Sequence, residues 1–317
     1  MNVDDRSTWP EAPGAGALGD GRFTAAVRRP STVDELCDVV KAEAALGGAV
    51  YPQGGRTGLD FGLPPARPGA AVDLTALADV VDYPHADMTI TVRAGMTVAA
   101  LQTVLDEQGQ RLLFEVPRGD RATIGGALAT GVRGPRRYGQ GRPRDSIIGV
   151  SFVTAAGVEV KGGGRVVKNV AGYNFPKLLT GSLGSLGVIT LATLTVRPKP
   201  AASALAWLTA DAAEPLDAHV ASLNTSSLRP TAVEILNPSA ATTIGGPLGL
   251  PGGAWTLVVG IEGAATPVAW QVDQLRREVG RDFEVLRDEG AAPLWTALAE
   301  FQAEDAPLAC YASLRPS

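Results

Sequence analysis

The sequence predicts an α+β fold of two lobes around one binding site, followed by a short α/β sandwich cap. Three observations carry that prediction. The 317 residues are too many for one small core. Strand and helix patterns alternate along the chain, with a break at Pro198-Lys199-Pro200. Two glycine-rich loops, at 51–62 and 121–145, interrupt the first part at places where strands end or helices begin.

Residues 1–22, rich in Gly, Pro and Ala, read as a flexible tail. Gly14, Gly16 and Gly19 match GxGxxG, but no apolar strand precedes them and no helix pattern follows, so the match is set aside. The first domain spans 23–200, with lobes about 23–85 and 86–200. It opens with the strand TAAVRRP. Thr32, three residues before Glu35, has the spacing of a helix-start capping box. Val33, Leu36, Val39 and Val40 then recur at helical intervals until Gly47 stops the helix. The strand AVYP, the first glycine loop and the strand AAVDLTAL complete a β-α-β unit. Its loop leaves the end of a strand, where α/β sheets often bind ligands.

The second lobe begins with the alternating strand TITVRAG and the amphipathic helix TVAALQTVLDEQG, closed by Gly109. LLFEVP leads into the second glycine-rich loop. SIIGVSFVTA and VEVKGGG form strands joined at Ala156-Gly157, and LGVITLATLTVRP closes the lobe as another strand. In the cap, 201–317, the strands ALAWLTA, TAVEILNP, WTLVVGIEG, DFEVLRDEG and LACYASL alternate with helices such as PVAWQVDQLRREVG and PLWTALAEFQAE. The cap is short, either naturally so or cut short.

Composition removes several classes of function. Hydrophobic residues make up 45% of the chain, yet no apolar run reaches the roughly 18 residues of a membrane span. The start, MNVDDRSTWPEAPGAG, lacks the apolar stretch of a signal peptide, so the chain reads as cytoplasmic. Cys37 and Cys310 are too few for a disulfide framework or a four-thiolate iron–sulfur cluster, and any such cluster belongs to a partner. His85 and His219 sit in no HExxH or paired-ligand pattern, so no metal site is expected. A net charge of −5 argues against nucleic acid as a partner. Against that background, residues 118–144 hold seven arginines and one aspartate. Such a stretch meets an anion, since guanidinium forks match phosphates and carboxylates; the alternatives are a solvated basic face or a docking surface for an acidic partner.

The stretch YPQGGRTGLDFG, 51–62, carries four glycines around Arg56 and Thr57. A turn needs one or two. Four imply a backbone that comes close to a guest, and successive N–H groups in such a loop form a nest for a phosphate.

These motifs resemble the FAD-binding oxidases of the vanillyl-alcohol oxidase/PCMH family, and most closely the small FAD-binding subunits of bacterial glycolate oxidases. PQGGRTGL (52–59) is similar to the family's first pyrophosphate loop and RATIGGALATGVRGPRRYGQGRPRD (121–145) to its second. KNVAGYN (168–174) and GSLGSLGVIT (181–190) follow in order. The likeness covers about 25–200 and only weakly the cap. It implies a PCMH-type domain in which Pro52, Gln53, Gly54, Gly55, Arg56, Thr57, Gly58 and Leu59 hold the diphosphate of FAD. Pro117, Gly119, Thr123, Ile124, Gly125 and Gly126 approach from the other side. Thr130, Gly131 and Gly134 then lie along the flavin, with Tyr138 near the ring and Val188 and Ile189 at the adenine end. Glycines 125 and 126 also suit close helix packing, and Val188 and Ile189 suit any strand core.

Two departures from the family matter. The first loop has Arg56 and no His, so FAD is expected to be held noncovalently. Asn174 stands where the family has Asp. The cap offers His219 alone as a candidate base. The resemblance therefore implies an FAD subunit that assists electron transfer, with a larger FAD-binding hydroxy-acid dehydrogenase subunit and an iron–sulfur subunit as partners and membrane association only through them. Rival readings are a self-sufficient FAD-dependent alcohol or hydroxy-acid oxidoreductase, and a scaffold subunit that has lost FAD.

Overall fold

The computed structural model describes residues 16–18, 23–62, 67–164, 172–279 and 283–303. The predicted strand LACYASL and residues 168–171 of KNVAGYN lie outside them.

The first lobe comprises β1 (Gly16–Leu18), β2 (Phe23–Arg28), α1 (Val33–Ala45), β3 (Ala49–Gln53) and β4 (Gly69–Asp73). Its sheet order is β1-β2-β4-β3. Strand β4 is parallel to both β2 and β3, while β1 pairs antiparallel with β2. Three residues read as tail are therefore sheet, and Gly16 of the discarded glycine motif is in that strand. At the start of α1 the Thr32 hydroxyl accepts the Glu35 N–H at 3.1 Å. The Glu35 carboxylate reaches back to the N–H and hydroxyl of Ser31, at 2.7 and 2.9 Å. That is one residue earlier than a capping box places it. Leu36, Val39 and Val40 pack on Val72 and Leu74 and also on Val153 and Val188 of the second lobe, so the apolar face of α1 joins the lobes.

The second lobe begins earlier than its predicted boundary, at β5 (Val80–Asp82). It continues through β6 (Thr89–Arg93), α2 (Val98–Asp106), β7 (Gln110–Arg111), α3 (Ile124–Thr130), α4 (Arg137–Gln140), α5 (Pro143–Ser146), β8 (Ile147–Val153), β9 (Glu159–Gly163), α6 (Phe175–Leu179) and β10 (Val188–Thr195). The order β5-β6-β10-β8-β9 is antiparallel throughout. Leu101 and Leu105 of α2 and Ile124 and Leu128 of α3 are fully buried against Ile90 and Leu194. Both helices start on threonine caps: Thr97 accepts from the Ala100 N–H and Thr123 from the Gly126 N–H. A short strand, β11 (Arg197–Pro198), pairs antiparallel with β7.

The cap contains β12 (Ala202–Ala210), α7 (Glu214–Thr225), β13 (Ala232–Leu236), α8 (Pro238–Gly245), β14 (Trp255–Gly263), α9 (Ala265–Val279), β15 (Glu284–Arg287) and α10 (Ala292–Glu300). Its antiparallel sheet runs β13-β14-β12-β15. Ala204, Ala206 and Leu208 share a core with α7 and α9. Leu205 and Trp207, alternating with them, share another with α8 and α10. Helices cover both faces, which is why ALAWL and TLVVGI read as continuous apolar runs without alternation. The α+β class and sandwich cap agree with the sequence.

Candidate functional site

Both glycine loops open onto one cavity of about 620 Å³, within the range of pockets that bury small ligands. Strand β3 carries the first loop to it, and the backbone bridge between Thr97 and Thr123 carries the second. The loops lie on each other. A Cβ on Gly54 would overlap the Thr123 hydroxyl, and one on Gly55 would overlap the Arg121 carbonyl. These two glycines therefore serve loop-on-loop contact before any contact with a guest. Arg121 closes the same junction, its Nη2 donating to the Gly55 carbonyl at 3.2 Å. Gly125 likewise backs onto Ala94, where an added Cβ would sit 2.8 Å from the alanine Cβ.

The first loop has spare donors. Among the described residues, the backbone N–H groups of Gly54, Gly55, Thr57, Gly58 and Leu59 make no hydrogen bond to a protein acceptor. Arg56, at φ 59°, turns the chain in the left-handed region, the kind of turn that gathers successive N–H groups into an anion nest. Beside them Gln53 is 4% exposed, with neither its carboxamide nitrogen nor its oxygen partnered. A buried amide left so costs about 1–3 kcal/mol, a cost that a ligand able to donate and accept would remove. In the second loop the donors are used: Ile124 N–H bonds the Met96 carbonyl at 2.8 Å, Gly125 N–H the Ala94 carbonyl at 2.8 Å, and Gly126 N–H the Thr123 hydroxyl at 3.3 Å. The first loop thus suits a diphosphate, and the second supplies wall and support.

The cavity is lined by the whole predicted stretch Pro52 to Leu59, together with Pro117, Thr123, Gly125, Gly126, Thr130 and Ile189. Six predicted residues lie elsewhere. Ile124 fills the second-lobe core. Val188, adjacent to Ile189 on an alternating strand, turns the other way to pack with α1. Gly131 is the left-handed C-cap of α3, at φ 65°. Gly134 makes room for Glu115, which a Cβ there would overlap. The carbonyl of Gly119 accepts the Ala99 N–H at 2.8 Å, outside the cavity lining. Tyr138 donates its hydroxyl to Asn224 at 2.8 Å and lines a second cavity.

Other lining residues were not among the predicted site residues, although four of them lie in the quoted stretch GSLGSLGVIT. Leu183, Gly184, Ser185 and Gly187 form one wall. Their turn is pinned to α3 by the N–H groups of Gly181 and Leu183, which bond the carbonyls of Leu128 and Ala129 at 2.9 and 2.8 Å. The repeated glycines of GSLGSLG were the available signal. Gln302 is the cap's contribution to the wall; its Nε2 bonds the Arg133 carbonyl, and its Oε1 is buried without a partner. No local pattern marks it.

The arginine stretch turns inward as well as toward solvent. Arg136 donates through Nε and Nη2 to Glu262, at 3.0 and 2.8 Å, and pairs through Nη1 with Glu115. Its guanidinium also lies 3.8 Å from the centre of the Trp295 ring. Arg111 reaches Glu262 at 2.9 Å, Arg137 pairs with Glu234, and Glu300 accepts the Arg118 N–H at 2.9 Å. Glu234, Glu262, Trp295 and Glu300 belong to the cap, so the charges of Arg136 and Arg137, two of the stretch's seven arginines, lock cap to domain. Burial pushes the Glu262 carboxyl up, but Arg136 and then Arg111 overcome this and hold it below the usual carboxylate range. Burial wins at Glu115 and at Glu234, and both are raised despite their arginine partners.

Residues 24–163 match the family described as FAD binding domain, and this part of the chain is an FAD-binding domain. The chain is 40% identical over 136 residues to the glycolate oxidase subunit GlcE of Escherichia coli (strain K12), covering 43% of this chain and 39% of that one. It is 35% identical over 175 residues to the D-2-hydroxyglutarate dehydrogenase of Xanthomonas citri pv. viticola, covering 55% and 37%. The matches thus span under two fifths of either relative's length. A solved structure of alkyldihydroxyacetonephosphate synthase superposes with a TM-score of 0.71 at 19% identity, covering 89% of this chain and 60% of that one, a likeness of fold. No helix among the described residues is long and apolar enough to cross a membrane.

Proposed function

We propose that the chain is an FAD-bearing subunit of a glycolate- or 2-hydroxy-acid-oxidising complex, holding FAD noncovalently and assisting electron transfer. The observation that carries this reading is the first loop: five unpartnered N–H groups beside the unpartnered amide of Gln53, inside an FAD-binding domain. The N–H groups from Gly54 to Leu59 hold the diphosphate, Gln53 takes a polar edge of the nucleotide, and Arg56 takes the place of an attachment histidine, so no covalent link forms. Glycolate and D-2-hydroxyglutarate, named for the two relatives, are both 2-hydroxy acids. Bound flavin would accept a hydride from such a substrate.

The oxidation also needs a base for the hydroxyl proton and a cation for the carboxylate. Among the described residues, the titratable side chains lining the cavity are Tyr51, Arg56 and Asp60. Arg56 can hold an anion, while the Tyr51 hydroxyl is engaged by the Arg67 carbonyl. His85 sits exposed beyond β5 and His219 on α7, and neither lines the cavity. This supports leaving the main chemistry to a larger FAD-binding hydroxy-acid dehydrogenase subunit, with an iron–sulfur subunit as outlet. Tyr173, Leu178 and Leu186, exposed on and beside α6 and outside the cavity lining, offer apolar side chains to such partners. We place the complex in the cytoplasm, with membrane contact only through those partners.

The test is the purified chain with glycolate and D-lactate. It should carry flavin absorbance that is released on acid precipitation, and should show sustained turnover only with its partners added. Sustained turnover by the single chain would contradict the division of labour.

A further inference from the structure

The second cavity, of about 890 Å³, lies at the junction of domain and cap and shares no lining residue with the first. We propose that it binds a small organic anion, a carboxylate or phosphate ester with an apolar body. Its domain wall is the β7–β11 ribbon, in which Arg111 and Arg197 are directly opposed across the strands. Like charges so placed repel unless something lies between them. Glu262 meets Arg111 but is shared with Arg136, and among the described residues no carboxylate pairs with Arg197. On the cap wall, Arg229 donates through Nη1 to the carbonyls of Ser226 and Leu228, at 3.1 and 2.7 Å, which fixes its guanidinium without neutralising it. Lys199 is already held by Asp106 at 2.7 Å. Glu262, which also lines the cavity, offsets Arg111, so the excess positive charge sits on Arg197 and Arg229.

The rest of the lining explains the apolar body. Leu113 from the domain and Leu223 and Leu228 from the cap supply hydrocarbon, and the Tyr138 ring is held beside them by its bond to Asn224. Guanidinium groups select the charged end, by bidentate bonds to carboxylate or phosphate alike. Because both walls contribute, a bound anion ties the cap to the domain.

The experiment titrates FAD-loaded protein by calorimetry with phenyl phosphate and phenylacetate, using inorganic phosphate and acetate as controls. At least one aryl anion should bind about tenfold more tightly than its inorganic or methyl counterpart, and whichever binds identifies the charged end. Arg197→Gln and Arg229→Gln, both on exposed side chains, should each weaken that binding about tenfold, as expected for loss of one charge-assisted contact. Without anion, Arg197→Gln should melt at or above the parent, since it removes the repulsion from Arg111, and Arg229→Gln no more than a few degrees below it, which separates lost binding from lost folding. No binding of either aryl anion, binding that both variants leave unchanged, or binding that appears only when FAD is removed would each overturn the proposal.

Discussion

The carbonyl oxygen of Gly55 accepts a hydrogen bond from Arg121 Nη2 at 3.2 Å, and the Cα of Gly55 faces the Arg121 carbonyl with no room for a side chain. Two segments 66 residues apart are thereby held as one cradle. Gly55→Ala should force them apart, costing about 1–3 kcal/mol of stability as overpacking does and weakening FAD binding. Gly58→Ala, whose Cβ would meet only the side chains of Phe61 and Thr130 at 3.3 Å, should fold normally. Chemical denaturation of the two variants checks the contrast.

Gln53 offers the opposite signature. Its buried amide lacks protein partners, so Gln53→Leu should stabilise the FAD-free protein by about 1 kcal/mol or leave it unchanged, while weakening FAD retention. Thermal midpoints with and without FAD separate the two effects. A variant that loses stability without FAD and keeps its affinity would place the role of Gln53 in packing.

The charged junction predicts a pH response. Glu262 has a lowered folded-state pKa, so its stabilisation is present above the ordinary carboxylate value of 4.5 and lost as pH falls through the folded value. Glu115 and Glu234 are raised, so their contribution has the opposite sign: it is present below the ordinary value and lost as pH rises through the folded one. Glu262→Gln should therefore flatten the loss of stability below about pH 4.5. At neutral pH it should cost about 3 kcal/mol by leaving Arg136 and Arg111 poorly paired. Urea unfolding from pH 3 to 7, a range chosen to bracket about 4.5, measures both.

Arg136 should not tolerate lysine. The guanidinium bonds Glu262 through two nitrogens, reaches Glu115 and covers the Trp295 ring. An ammonium keeps the charge but cannot make that set of contacts. Arg136→Lys should lose about 1–2 kcal/mol, read as a lower urea midpoint for the cap's tryptophan fluorescence.

Much of this molecule could be read locally. Thr32 announced α1, because a threonine hydroxyl can cap orphan N–H groups, and the amphipathic run closed by Gly109 announced α2. The PQGGRTGL loop announced the cavity because glycine is needed where backbones crowd. Reading that crowding as contact with a guest was only part of the cause, since Gly54 and Gly55 first meet Thr123 and Arg121. The arginines resisted prediction because a guanidinium that meets a phosphate and one that meets Glu262 look the same in sequence. Tyr138, carried over from the resemblance as a neighbour of the flavin ring, is drawn to Asn224 by the position of the cap. Gln302 enters the wall only through long-range packing. Strand β1 has three residues, too few for an alternating pattern.

The most direct test is a crystal structure of the chain with FAD. The diphosphate should lie within hydrogen-bond distance of the N–H groups between Gly54 and Leu59, with the Gln53 amide engaged by the nucleotide and no covalent link to Arg56. A diphosphate seated elsewhere, or those amides still turned away from it, would contradict the account.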